Sequence, residues 1–143
     1  MRVPRKRLYT LLLVITIVPA VLLASVFLFW GVHSLLNPFV PQELLAENTL
    51  VCAVLILTAA VLIYALFRPY SGGFFLCIWA VPFGFILHAF RLSLFSALYP
   101  SMEVGYHPIF AAIAGLVLLL GLLFVIRGRL SRRTASEAPP QGS

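Results

Sequence analysis

Four long apolar segments separated by short breaks make up most of the chain. They run from Leu8 to about Leu36, from about Thr49 to Phe67, from about Phe74 to Leu98, and from about Pro108 to Ile126. A helix needs about 20 apolar residues to cross a hydrocarbon core of about 30 Å, and each segment meets or nearly meets that length. The breaks carry turn chemistry: Asn37-Pro38 with Pro41, then Arg68-Pro69-Tyr70-Ser71-Gly72-Gly73, then Tyr99-Pro100 through Tyr106. Proline and paired glycines end helices through a missing N–H or a positive φ. Pro19 and Pro82 fall inside segments, where a kink is tolerated if neighbours satisfy the freed carbonyl. Loops this short make consecutive helices antiparallel neighbours. The pattern therefore predicts an all-α polytopic membrane protein, an up-down bundle of four transmembrane helices. Small residues favour close helix contact in lipid, and Ala111, Ala114, Gly115 and Gly121 in the fourth segment and Ala59, Ala60 and Ala65 in the second are the expected contact positions.

Composition agrees. The 143 residues are 62% hydrophobic and 10% charged, where a soluble domain carries about 25% charged residues. The net charge of +6 does not point to nucleic acid. The basic residues flank the apolar segments, and no basic stripe interleaved with aromatics appears. Nine of the ten, Arg2, Arg5, Lys6, Arg7, Arg68, Arg127, Arg129, Arg132 and Arg133, lie beside one end of a segment. Glu43, Glu47 and Glu103 occupy the alternate gaps. Basic flanks stay on the cytoplasmic side, so both termini are expected there, with residues 1–7 as a basic start. Residues 127–143 are expected to be basic and then, from Thr134 on, a disordered tail. Tyr9, Trp30, Tyr70, Tyr99 and Tyr106 fall where interfacial aromatics belong. The first segment is read as a retained span rather than a cleaved signal, because apolar character continues through Trp30, past an h-region of about 7–15 residues. A prokaryotic plasma membrane is the expected location.

Chemistry has few places to reside. Cys52 and Cys77 should lie near opposite ends of adjacent spans, too far apart for a disulfide whose Cα atoms must approach within about 7 Å. Both read as small packing residues. Arg91 is the one basic residue inside a span, and an intramembrane charge costs about 2.5–3.5 kcal/mol at a helix centre. His88 shares its face at i, i+3. His33 closes the first span, His107 opens the fourth, and Glu43 and Glu47 sit ahead of the second. The expected site is thus an outer polar cluster of His33, Glu43, Glu47, His88, Arg91 and His107. Arg91 would pair with Glu47 or Glu43, hold an anionic group, or snorkel its long stem toward the headgroups. His88, deeper by a turn, could instead be satisfied by a backbone or hydroxyl group. No catalytic residue and no metal site are expected: nucleophile–base spacing, HExxH and CxxC are all missing. A haem between His88 and His33 or His107 is disfavoured by their different depths. A proton-coupled exporter would want an acid within a span, and every acid here is in a loop or the tail.

A first span ending Phe29-Trp30-Gly31-Val32-His33 before Asn37-Pro38, a second ending Phe67-Arg68-Pro69, and a third carrying Leu87-His88-Ala89-Phe90-Arg91 resemble small four-helix membrane proteins of the DoxX-like kind. The resemblance covers the layout of roughly residues 20–126. It implies a four-helix membrane architecture and, for some members, quinone-linked redox or membrane redox partners. This chain departs from better characterised members in having no acid within the second span.

Three functions fit these features. The first is a scaffold or accessory subunit of a membrane complex, whose polar cluster holds the bundle or a protein partner. The second is a small-molecule site, for a quinone or a lipid headgroup, using His88 and Arg91. The third is a transporter, which at this size would need a homo-oligomer to enclose a path. A closed bundle with Arg91 paired to Glu43 or Glu47 would favour the scaffold. An apolar pocket of several hundred Å³ converging on His88 and Arg91 would favour a ligand.

Overall fold

The computed structural model describes residues 5–99 and 108–136. It is all helical: α1 spans Arg5–Leu36, α2 Leu45–Phe67, α3 Pro69–Leu98 and α4 Ile109–Ser136, with a single 3₁₀ turn, Gln42–Leu44, ahead of α2. All four helices are long and apolar enough to cross a membrane. α1 packs chiefly on α2 and α3 on α4, and the α2–α3 contact joins these two pairs into the expected up-down bundle.

Besides starting α1 at Arg5 rather than Leu8, the elements extend beyond the apolar segments in three places. The stretch Pro69–Gly73, expected as a loop, is the first turn and more of α3. Only Arg68 breaks the chain, at φ −125° and ψ 72°. Steric contact with the Pro69 ring drives the preceding residue out of the helical region, while Pro69 itself suits the first helical position, where no N–H is needed. The hairpin keeps its backbone partners, since Arg68 N–H donates to Tyr64 O at 2.9 Å and Gly72 N–H to Arg68 O at 2.8 Å. Gly72 does not mark a turn. It lets α3 lie directly on α2, where a Cβ would run into the Ala65 backbone. The second extension is at α4, which continues through Ser136, so Thr134, Ala135 and Ser136 are helical rather than part of a disordered tail. The remaining tail residues lie outside the described ones. The third is at α2, which starts four residues earlier than its apolar pattern, with Glu47 in its first turn.

Glycine sets the α3–α4 spacing as well. A Cβ on Gly73 would sit 2.7 Å from Gly121 O, and one on Gly121 would sit 2.8 Å from Cys77 Sγ and 2.9 Å from Gly73 O. The two backbones are therefore in direct contact. In lipid, where apolar burial gives little net drive, such close packing is what holds helices together. Ala59 and Ala65 of α2 are fully buried, as expected of contact positions, while Ala60 faces out. Phe83, Phe124, Leu62, Leu76 and Leu120 fill the centre, and Phe27 of α1 reaches across to Phe83 with ring centroids 5.5 Å apart. Trp79 of α3 donates its indole N–H to Thr58 Oγ1 of α2 at 2.8 Å, and Thr58 in turn donates to Val54 O at 2.7 Å. Asn48 Nδ2 donates to Ser34 O at 3.2 Å, tying α2 to the end of α1.

The outer surface is the inverse of a soluble bundle. Phe29, Leu22, Phe75, Val81, Phe85 and many other large apolar side chains of all four helices are exposed. Apolar exposure this continuous has no stable solution in water and is the natural face toward acyl chains. The chain is a multi-pass integral membrane protein.

Candidate functional site: a lateral cleft beside His88

Two stripes of small residues leave a gap between α3 and α4. On α3, Ala80, Gly84 and His88 follow one another at i, i+4, i+8, and on α4, Ala111, Ala114 or Gly115, and Leu118 lie on one face at i, i+3 or i+4, and i+7. The helices touch where a Cβ on Gly84 would lie 2.9 Å from Ala114 Cβ. Gly115 has nothing within 4 Å of its Cβ position. The result is a cleft of about 360 Å³. Its walls are almost wholly apolar, and its mouth opens toward the lipid side past Val81, 60% exposed, and Phe85, 73% exposed. Among the described residues, His88 is the one titratable residue on its lining. It stands ten residues before the end of α3, which the helical rise converts to about 15 Å of depth.

Arg91 is one turn beyond His88 and only 8% exposed, so its head stays inside the protein rather than snorkelling out. The guanidinium lies over the Phe95 ring at 5.4 Å and the Phe110 ring at 5.9 Å. Each such contact stabilises a desolvated cation by about 0.5–2 kcal/mol. Phe110 also lines the cleft. The arginine thus sits behind Phe110 of the cleft wall, one helical turn from His88.

The other expected members of the polar cluster are elsewhere. His33 is exposed, stacked on Phe29 with centroids 5.6 Å apart and 5° between planes, and near Phe39 at 6.0 Å. Glu43 and Glu47 are both exposed, one in the 3₁₀ turn and one in the first turn of α2. There they complement the positive end of that helix's dipole. Neither is drawn into the interior beside Arg91. His107 falls outside the described residues, as does Glu103. Among the described residues, no three His, Cys, Asp or Glu side chains gather to hold a metal ion. Cys52 and Cys77 are both free thiols.

Sequence reasoning singled out His88 and Arg91 but not the cleft that His88 lines. Ala111 and Gly115, expected as contact positions, line the gap instead, Gly84 and Ala114 meet beside it, and Phe95 and Phe110 hold Arg91. The spacing Ala80-Gly84-His88 carried that signal: small residues lead up one face of α3 to a polar one. An apolar slot with an imidazole at its end suits a molecule with a hydrocarbon part and one hydrogen-bonding group. Imidazole can donate or accept that bond, and an adjacent cation favours a carbonyl, phenolate or phosphate over a second cation.

Comparison with known proteins gives no match, whether to a protein family, a characterised protein or a solved structure.

Proposed function

We propose that the protein binds a membrane-dissolved amphiphile, of the quinone or lipid-headgroup class, in the α3–α4 cleft. The observation that carries this reading is the cleft itself: about 360 Å³ of apolar space, open to lipid, with His88 on its wall. That size falls within the range of small-molecule sites, about 300–1,000 Å³. The hydrocarbon part enters sideways from the bilayer, His88 hydrogen-bonds the polar group, and the Arg91 charge behind Phe110 biases the site toward oxygen acceptors. A closed bundle with Arg91 paired to Glu43 or Glu47 would have favoured a scaffold. The open cleft and the two exposed glutamates argue for the ligand instead. A redox role of the kind implied by the DoxX-like resemblance would depend on the amphiphile being a quinone. The orientation that suits this reading puts both termini in the cytoplasm of a prokaryotic cell and His88 in the outer half of its plasma membrane. The grouping of Arg7, Arg68, Arg127, Arg129 and Arg132 at one end of the bundle supports it.

The test is purification in mild detergent, extraction, and mass spectrometry with a visible spectrum of what co-purifies. Two variants accompany the wild type. Gly115→Leu fills the cleft from a position whose Cβ would have nothing within 4 Å, and His88→Leu removes the polar group. The wild type should retain an amphiphile at near-stoichiometric amounts, and both variants should lose most of it. Recovery of nothing but bulk lipid in all three would refute the reading. A stable larger protein partner in its place would return the accessory-subunit role to the front.

A further inference from the structure

Arg127 is buried where Arg7, Arg68, Arg129 and Arg132 are exposed. It follows Val117, Leu120 and Phe124 on the inward stripe of α4, at the spacing that keeps one helix face together. It is 9% exposed, and its Nη1 is fully enclosed with no hydrogen-bond partner. Arg129 and Arg132, on the same helix, are exposed, and so are Arg7 on α1 and Arg68 at the α2–α3 break. Exposure is what an arginine at a membrane boundary ordinarily has, since its stem can lie on apolar surface with its head in water. Arg132 additionally covers the Tyr70 ring at 4.5 Å. Arg127 takes neither route. An enclosed guanidinium nitrogen with no acceptor is strongly unfavourable, so a tightly packed arginine of this kind calls for an anion.

The level of Arg127 says which anion is at hand. The next residue, Gly128, packs against Tyr70, where a Cβ would come within 2.7 Å of the Tyr70 backbone N. Tyr70 is two residues past the α2–α3 break. Arg127 therefore sits level with that hairpin, at the end of the bundle where the apolar segments stop and lipid phosphates begin. Guanidinium binds phosphate through paired, directional hydrogen bonds. Four exposed arginines ring the same end and draw negative charge toward it.

We propose that Arg127 is the buried anchor of a phosphate-binding site at this end of the bundle, whose occupant is the headgroup phosphate of an anionic phospholipid. The site is separate from the His88 cleft and stands or falls independently of it. The surrounding arginines attract the headgroup, and Arg127 supplies the bond that holds one lipid in place.

The full chain in detergent, delipidated and then titrated with phosphatidylglycerol or phosphatidylcholine under native mass spectrometry, tests this. Wild type should retain one phosphatidylglycerol about tenfold more tightly than Arg127→Gln does, the loss expected for one charge-assisted bond. Arg129→Gln, the same charge change at an exposed position, should change retention much less. Equal losses in the two variants would overturn the site and leave only diffuse surface charge. Inorganic phosphate alone raising the thermal stability of the lipid-free wild type, but not of Arg127→Gln, would keep the site and assign it to soluble phosphate. Should Arg127→Gln fail to fold, the wild type still decides: no greater thermal stabilisation by phosphatidylglycerol than by phosphatidylcholine would refute the proposal.

Discussion

Replacing Gly121 by alanine should destabilise the bundle although alanine is the better helix former. The added Cβ would stand 2.8 Å from Cys77 Sγ, 2.9 Å from Gly73 O and 3.0 Å from Cys77 N. Ordinary contact is at about 3.5–4.0 Å, so α3 and α4 must part by about 0.5–1 Å along this seam. A gap of that width removes about a quarter to a half of each dispersion contact, itself about 0.1–0.2 kcal/mol. Over some tens of atom pairs the loss is about 1–3 kcal/mol, which matches the usual cost of overpacking. The gain in helix propensity, at most about 1 kcal/mol, offsets part of it. A net loss of about 1–2 kcal/mol is expected in a dodecyl sulfate titration from dodecyl maltoside micelles, followed by far-ultraviolet circular dichroism. Gly115→Ala is the matched control on the same helix. Nothing lies within 4 Å of its Cβ position, so it should be neutral or slightly stabilising. Glycine-set packing as the hold between α3 and α4 is refuted if Gly121→Ala is as stable as wild type, or if Gly115→Ala loses as much.

Two further expectations are quickly checked. Thr58→Val keeps the shape of the side chain but takes away the acceptor of the Trp79 indole N–H. Interhelical bonds in lipid contribute about 0.6 kcal/mol on average and up to about 1.7, so a loss near the upper figure is expected for this enclosed pair. Trp79 emission in a Trp30→Phe background should shift with it, and an unchanged spectrum and midpoint would show the bond to be immaterial. For the proposed orientation, Arg129→Cys should react with a membrane-impermeant maleimide only after cells are opened. Labelling in intact cells would reverse the whole assignment.

Much of the architecture was legible in one dimension. Apolar length gave the number of spans, since lipid allows no alternative to a helix that satisfies its own backbone over about 20 residues. Helix ends were less legible, because the membrane boundary and the helix boundary are different things. Arg127 through Ser136 leave the apolar pattern but not the helix, and Gly72 and Gly73 read as a turn although they are contact residues. Among the described members of the expected polar cluster, His88 and Arg91 lie one turn apart on α3, while the others stand apart from them. His33, Glu43 and Glu47 share their side of the membrane without sharing a site, since depth along the normal says nothing about direction around a helix. The same blindness hid Arg127. Its charge looked like one more flanking anchor, whereas its place on the Val117-Leu120-Phe124 stripe turns it inward.

The sequence by itself determined that this is a four-span membrane bundle with its basic residues, Arg91 excepted, gathered at one end. Those properties depend on hydrophobic length and on charge at segment ends, both of which are sums along the chain. Only the tertiary structure decided which small residues touch and which leave a gap. Gly73 and Gly121 close one part of the α3–α4 seam, while Gly115, less than two turns from Gly121, opens another. The residues are chemically the same. What differs is the direction each faces across the neighbouring helix, and that is fixed by how the helices pack.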